Sequence, residues 1–138
     1  MPFPIKHGDL VKQQKAVDQA ITQVDQTFTK LVEASRAFAI HGIGLRRQRK
    51  STKTYLRWRL LGGATEYVQL SSTKVQPLLE QMNSEKLRQL FELERERIQA
   101  ESERQVLAAK RERYRIARDY LDKLKQLQNE FLTNEANR

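Results

Sequence analysis

From Val17 onward the apolar residues recur at alternating four- and three-residue steps: Val17, Ile21, Val24, Phe28, Leu31, Ser35 and Phe38. That spacing fits a helix that buries one stripe along its length, as the seam of a coiled coil does. Leu10, Ala20 and Ala34 reinforce its margins. Asp9 is placed to cap the helix and Gly42 and Gly44 to end it, which predicts a helix over about residues 9 to 41.

A helix with one apolar stripe needs a second surface to bury it. The chain supplies one after Asn83 or Ser84, either of which can cap a long helix predicted over residues 84 to 133. Its stripe runs through Leu87, Phe91 and Ile98, weakens through Val106 and Ala109, and returns at Ile116, Tyr120, Leu124, Leu127 and Phe131. The middle, Glu92 to Arg118, is dense in Glu and Arg at helical spacing and reads as a solvated stretch held by side-chain pairs, protruding or meeting a partner. Residues 73 to 82, with Pro77 ahead of two leucines, predict a short helix. Asn134 to Arg138 is expected to fray.

Between the helices the period changes from about 3.6 to 2. Leu56, Trp58 and Leu60 fall on one strand face, and Lys53, Tyr55, Arg57 and Arg59 on the other. Past Gly62 and Gly63, Val68 and Leu70 alternate with Tyr67 and Gln69. This is a β-hairpin over residues 53 to 70. A two-residue loop would set Arg57 against Val68. A three-residue loop, Gly62-Gly63-Ala64, pairs Trp58 with Val68 and Leu56 with Leu70, and leaves the polar residues together on the opposite face. Trp58, sharing its face with Leu56, is therefore a core residue. The expected fold is mainly α: one domain over residues 1 to 138, an elongated antiparallel helical hairpin with an inserted two-stranded β-hairpin.

The 138 residues carry 26 Lys and Arg against 17 Asp and Glu, a net charge of +9. The excess is concentrated. Residues 1 to 33 balance at zero and residues 66 to 138 sum to +1, while no acid lies between Glu33 and Glu66. That gap holds Arg36, Arg46, Arg47, Arg49, Lys50, Lys53, Arg57 and Arg59. Residues 42 to 52, basic and poor in apolar residues, read as an exposed connection.

The chemistry of enzymes is hard to place here. Cysteine is absent, and the two histidines, His7 and His41, flank the first predicted helix. There is no glycine-rich phosphate loop. Glu92, Glu94, Glu96, Glu101 and Glu103 lack the histidine that carboxylate metal sites in bundles require. We therefore expect no enzymatic activity, no metal and no cofactor. The N-terminal residues lack an apolar signal core and no apolar run approaches a membrane span, so a cytoplasmic location without membrane contact is expected.

The basic segment is the candidate site. Arg46, Arg47, Arg49, Lys50 and Lys53 can neutralise phosphates, and the polar hairpin face adds Arg57 and Arg59 with Tyr55, Tyr67 and Gln69. Two-stranded ribbons fit the major groove, where Arg reads guanine and Gln adenine, while rings beside arginines also suit unpaired bases.

The stretch Tyr55-Leu56-Arg57-Trp58-Arg59, a second short apolar segment, and a long helix containing Leu93-Glu94-Arg95-Glu96-Arg97-Ile98 resemble a family of small uncharacterised proteins of integrative and conjugative elements. Some of these are labelled integrase regulator R. The resemblance covers about residues 53 to 125 and implies a mobile-element setting with a regulatory or DNA-processing role. The same ribbon resembles the arm-binding domain of tyrosine integrases, whose third strand is not found between Leu70 and Asn83.

The expected function is that of a non-enzymatic nucleic-acid-binding accessory protein of a mobile genetic element, with DNA favoured over RNA as partner. The alternative is a protein-interaction module, a coiled-coil adaptor or an inhibitor of a host defence complex, that sets the basic strip against an acidic protein surface. A homodimer through Tyr120, Leu124, Leu127 and Phe131 is a further expectation.

Overall fold

The computed structural model describes residues 7–62 and 66–136. Helix α1 (His7–Ser35) runs into a 3-10 helix (Arg36–His41), followed by strands β1 (Ile43–Lys50), β2 (Lys53–Leu60) and β3 (Glu66–Val68), a short helix α2 (Gln76–Glu80) and the long helix α3 (Ser84–Ala136). A long N-terminal helix packed on a longer C-terminal one, with a small sheet inserted between them in the chain, is the mainly helical architecture expected, but α3 does not bury the stripe read for it. Phe91, Ile98, Val106, Ile116, Tyr120, Leu124, Leu127 and Phe131 are exposed, and Leu90, Leu93 and Ala100 are the α3 residues turned into the core. Two compact units form: the first part of α1 with α3 from Val106 onward, and Gln23–Gln105.

The α1 stripe is buried throughout: Leu10, Val17, Ile21, Val24, Phe28 and Leu31, continuing as Ser35 and Phe38. In the first unit Leu10, Val17 and Ile21 form the α1 side of the core. Half-buried Leu107, Tyr114, Ala117 and Leu121 recur at helical spacing on α3. Arg118 Nη1 donates to Gln14 Oε1 at 3.2 Å, which sets the register of the two helices there.

In the second unit the remaining stripe residues pack with Ile43, Leu45, Leu56, Trp58, Val75, Met82, Leu90, Leu93 and Ala100. The Phe38 and Trp58 rings meet edge to face, 6.5 Å between centroids. Helix α1 ends earlier than expected because its last turn tightens into the 3-10 helix. Gly42 closes that turn at φ +88°, a left-handed conformation costly for other residues, with its N–H donated to the Ala39 carbonyl. Asn83 caps α3: its Oδ1 accepts the Lys86 N–H at 2.8 Å.

The sheet has three antiparallel strands in the order β1-β2-β3. The expected pairing of Trp58 with Val68 is present. Strand β3 ends at Val68, so Leu70 lies in a turn and not opposite Leu56. Of the expected loop, Gly63 and Ala64 fall outside the described residues, as do residues 137 and 138 at the end expected to fray.

Residues 42 to 52 are not a connection. They form β1 and its turn, pairing with β2 from Ile43–Leu60 to Lys50–Lys53. The third strand is therefore N-terminal to the hairpin and not between Leu70 and Asn83. Ile43 and Leu45 bury the inner face, and the Leu45 N–H donates to the buried Ser35 hydroxyl at 2.9 Å. Ser51, at φ +59°, turns the two-residue link to β2.

The Glu/Arg-rich middle of α3 is likewise not wholly solvated. Strand β3 covers β2 only from Trp58 to Leu60, which leaves the β2 edge bare from Thr54 to Leu56. Side chains of α3 replace the missing strand. Glu101 Oε2 accepts the Leu56 N–H at 2.9 Å, Arg97 Nη1 donates to the Leu56 carbonyl at 3.1 Å, and Gln105 Nε2 donates to the Thr54 carbonyl at 3.3 Å. Arg97 also bridges Glu94 at 2.5 Å and Glu101 at 3.2 Å, and Glu94 accepts the Trp58 indole N–H. The backbone polarity of a bare edge is thus satisfied within the unit.

Candidate nucleic-acid interface

Residues directly opposite in an antiparallel pair point to the same side of the sheet. The register therefore sorts the basic residues without further assumption. With Leu45, Leu56 and Trp58 buried on the inner face, the outer face carries Arg46 opposite Arg57, Gln48 opposite Tyr55, Lys50 opposite Lys53, and Arg59 between Gly44 and Tyr67.

That face brings together seven of the ten residues the sequence singles out: Arg46, Lys50, Lys53, Tyr55, Arg57, Arg59 and Tyr67. It adds Gln48, which a reading of the segment as an irregular connection could not place. The i, i+2 alternation of Gly44, Arg46, Gln48 and Lys50 was the signal available for it. Arg47 and Arg49 fall on the inner side. Arg47 lies over the Phe28 ring at 5.7 Å, donates to the Asp25 carbonyl and the Thr29 hydroxyl, and sits 3.8 Å from the Asp25 carboxylate. Asp25 also receives Arg104 at 2.7 Å. Arg49 remains exposed at the far end of the strand. Gln69 falls one residue past β3, exposed, its carbonyl accepting the Ser72 N–H.

The outer face gathers five cations, Arg46, Lys50, Lys53, Arg57 and Arg59, with two tyrosines and one glutamine. Of the eight basic residues between Glu33 and Glu66, Arg36 pairs with Glu33 at 3.1 Å and Arg47 with Asp25. Arg46, Arg49, Lys50, Lys53 and Arg57 have no carboxylate partner among the described residues. Arg46 curls back onto its neighbouring Leu45 carbonyl at 2.8 Å, and the Arg57 guanidinium stacks 4.6 Å above the Tyr55 ring. The Tyr67 hydroxyl reaches to 3.5 Å from the Arg47 carbonyl.

The dimensions suit an extended polyanion. Lys53 to Arg59 spans roughly 20 Å at about 3.3 Å per residue, and three strands at about 4.8 Å spacing are about 10 Å wide, against roughly 12 Å for the major groove of duplex DNA. Trp58 is buried on the other side and cannot stack on a ligand here. No group of three or more His, Asp or Glu comes together among the described residues in a way that could hold a metal ion. Among the described residues, no helix is long and apolar enough to cross a membrane.

Compared with protein families, with curated proteins and with solved structures, the chain matches none.

Proposed function

We propose that this protein is a non-enzymatic nucleic-acid-binding accessory protein that docks on the phosphate backbone of duplex DNA through the outer face of its sheet. One observation carries the reading: Arg46, Lys50, Lys53, Arg57 and Arg59 share one sheet face with Gln48, Tyr55 and Tyr67, and the opposite face is occupied by the core. Arg and Lys supply sequence-independent phosphate contact, and Arg57 and Gln48 are of the types that read base edges. The setting in a mobile genetic element rests on the resemblance over residues 53 to 125 alone.

Binding should be strongly salt-dependent, because each phosphate neutralised releases condensed counterions. Replacing Arg46, Lys50, Lys53 and Arg57 together by Ala should flatten the log-log salt slope on duplex DNA by up to about four units, at about 0.9 per lost contact. Arg47→Ala should change it far less, since Arg47 is held by Asp25 on the inner side. Filter binding over a salt series measures both, with Trp58 fluorescence confirming that the variants fold. An unchanged slope in the fourfold variant refutes the site. Failure of the native chain to bind duplex DNA, single-stranded DNA or RNA at moderate salt refutes the function and transfers the face to an acidic protein surface.

A further inference from the structure

In the first unit α3 has two apolar stripes, and α1 uses one of them. Leu107, Tyr114, Ala117 and Leu121 are half-buried on the side where Arg118 meets Gln14. On another side Val106, Ile116, Tyr120, Leu124, Leu127 and Phe131 stand 64, 42, 69, 48, 51 and 65% exposed. With Ala109 they recur at steps that average close to 3.6 residues, so they form one straight strip about 38 Å long at 1.5 Å per residue. Their exposed apolar area is on the order of 600 Å², close to the roughly 800 Å² per partner of an ordinary stable interface and larger than a solvated helix normally shows.

The charges along the strip say what covers it. From Val106 to Arg118 there are five basic residues and one acid, +4; from Asp119 to Phe131 there are three acids and two lysines, −1. A second copy laid parallel would set +4 against +4. Laid antiparallel, it sets each basic half against an acidic half and returns the same apolar residues to one another, as a twofold interface requires.

We infer that the protein is a homodimer through an antiparallel pairing of the Val106–Phe131 strip of α3 with that of a second copy. This inference does not depend on the proposed function. The absence of cysteine makes the test direct. Sedimentation equilibrium of the full chain between 1 and 200 μM, concentrations on the scale where interfaces of this size associate, should show a monomer–dimer equilibrium. Leu124→Glu with Leu127→Glu should raise the dissociation constant at least about a hundredfold while circular dichroism stays unchanged, since both side chains are exposed in the monomer. For orientation, Phe131→Cys alone should not form a disulfide-linked dimer under mild oxidation. Mixed with Ala109→Cys protein, it should cross-link to it. A monomer throughout the range, a higher oligomer, an association unaffected by the double Glu variant, or a self-linked Phe131→Cys dimer overturns the inference.

Discussion

Arg97→Met tests whether the charged middle of α3 is a structural part of the sheet or a solvated helical face. Arg97, Glu94 and Glu101 have side chains only 17, 17 and 18% exposed. Removing the guanidinium leaves two carboxylates against a strand edge and the Leu56 carbonyl without its donor. Breaking a buried ion pair costs about 3–5 kcal/mol and an orphaned buried acceptor about 1–3 kcal/mol. The two losses share one group, and the carboxylates retain some water, so about 3 kcal/mol is expected in total. Arg95→Met is the control two residues away. Its pair with Glu92 is 76 and 58% exposed, and losing it should stay within about 0.5 kcal/mol. Urea unfolding followed by fluorescence suits the measurement, because Trp58 is the single tryptophan, is 1% exposed, and sits in the unit concerned. Adding Glu94→Gln and Glu101→Gln to Arg97→Met should recover part of the loss by removing the uncompensated charges. A cost for Arg97→Met no larger than that of Arg95→Met refutes the edge-covering role.

Two further outcomes follow from single contacts. Ser35→Ala deletes the acceptor of the Leu45 N–H at a fully buried position, so denaturation should show a loss of about 1–3 kcal/mol despite the nearly unchanged volume. Glu112 is held below the ordinary carboxylate range, first by its hydrogen bond from Arg115. A group lowered in this way favours the helix above the usual glutamate range and loses that effect as pH falls through its depressed value. Arg115→Ala should therefore move the Glu112 titration upward in carbon-detected NMR, and an unmoved titration refutes the pairing.

Much of the fold is legible in the sequence because burial imposes periods. The α1 stripe from Val17 to Phe38 was readable at 4-3 steps, and the Trp58–Val68 register followed from the period of 2 together with a three-residue loop. Strand β1 was not legible for an equally physical reason. Its inner face is apolar only at Ile43 and Leu45, then continues with Arg47, whose guanidinium lies over Phe28 and reaches an acid 22 residues away in sequence. No local pattern announces such a partner. Glu94, Arg97 and Glu101 mislead in the same way. They continue the Leu87–Leu90 steps inward, but with residue types that normally face water. Of the candidate face, the β2 half was legible from alternation, whereas the contribution of Gln48 and the withdrawal of Arg47 depended on recognising β1.

The pairing of Arg46 with Arg57 and of Lys50 with Lys53 places like charges directly opposite one another on a single small sheet. Such cross-strand pairs oppose folding. The sheet is held together from below, by its core and its α3 edge, against a repulsion that acts from above. Any species that gathers negative charge over that surface relieves the repulsion only while the strands stay aligned, so counterion and conformation are thermodynamically linked: occupancy tightens the sheet, and a tighter sheet holds its anion better.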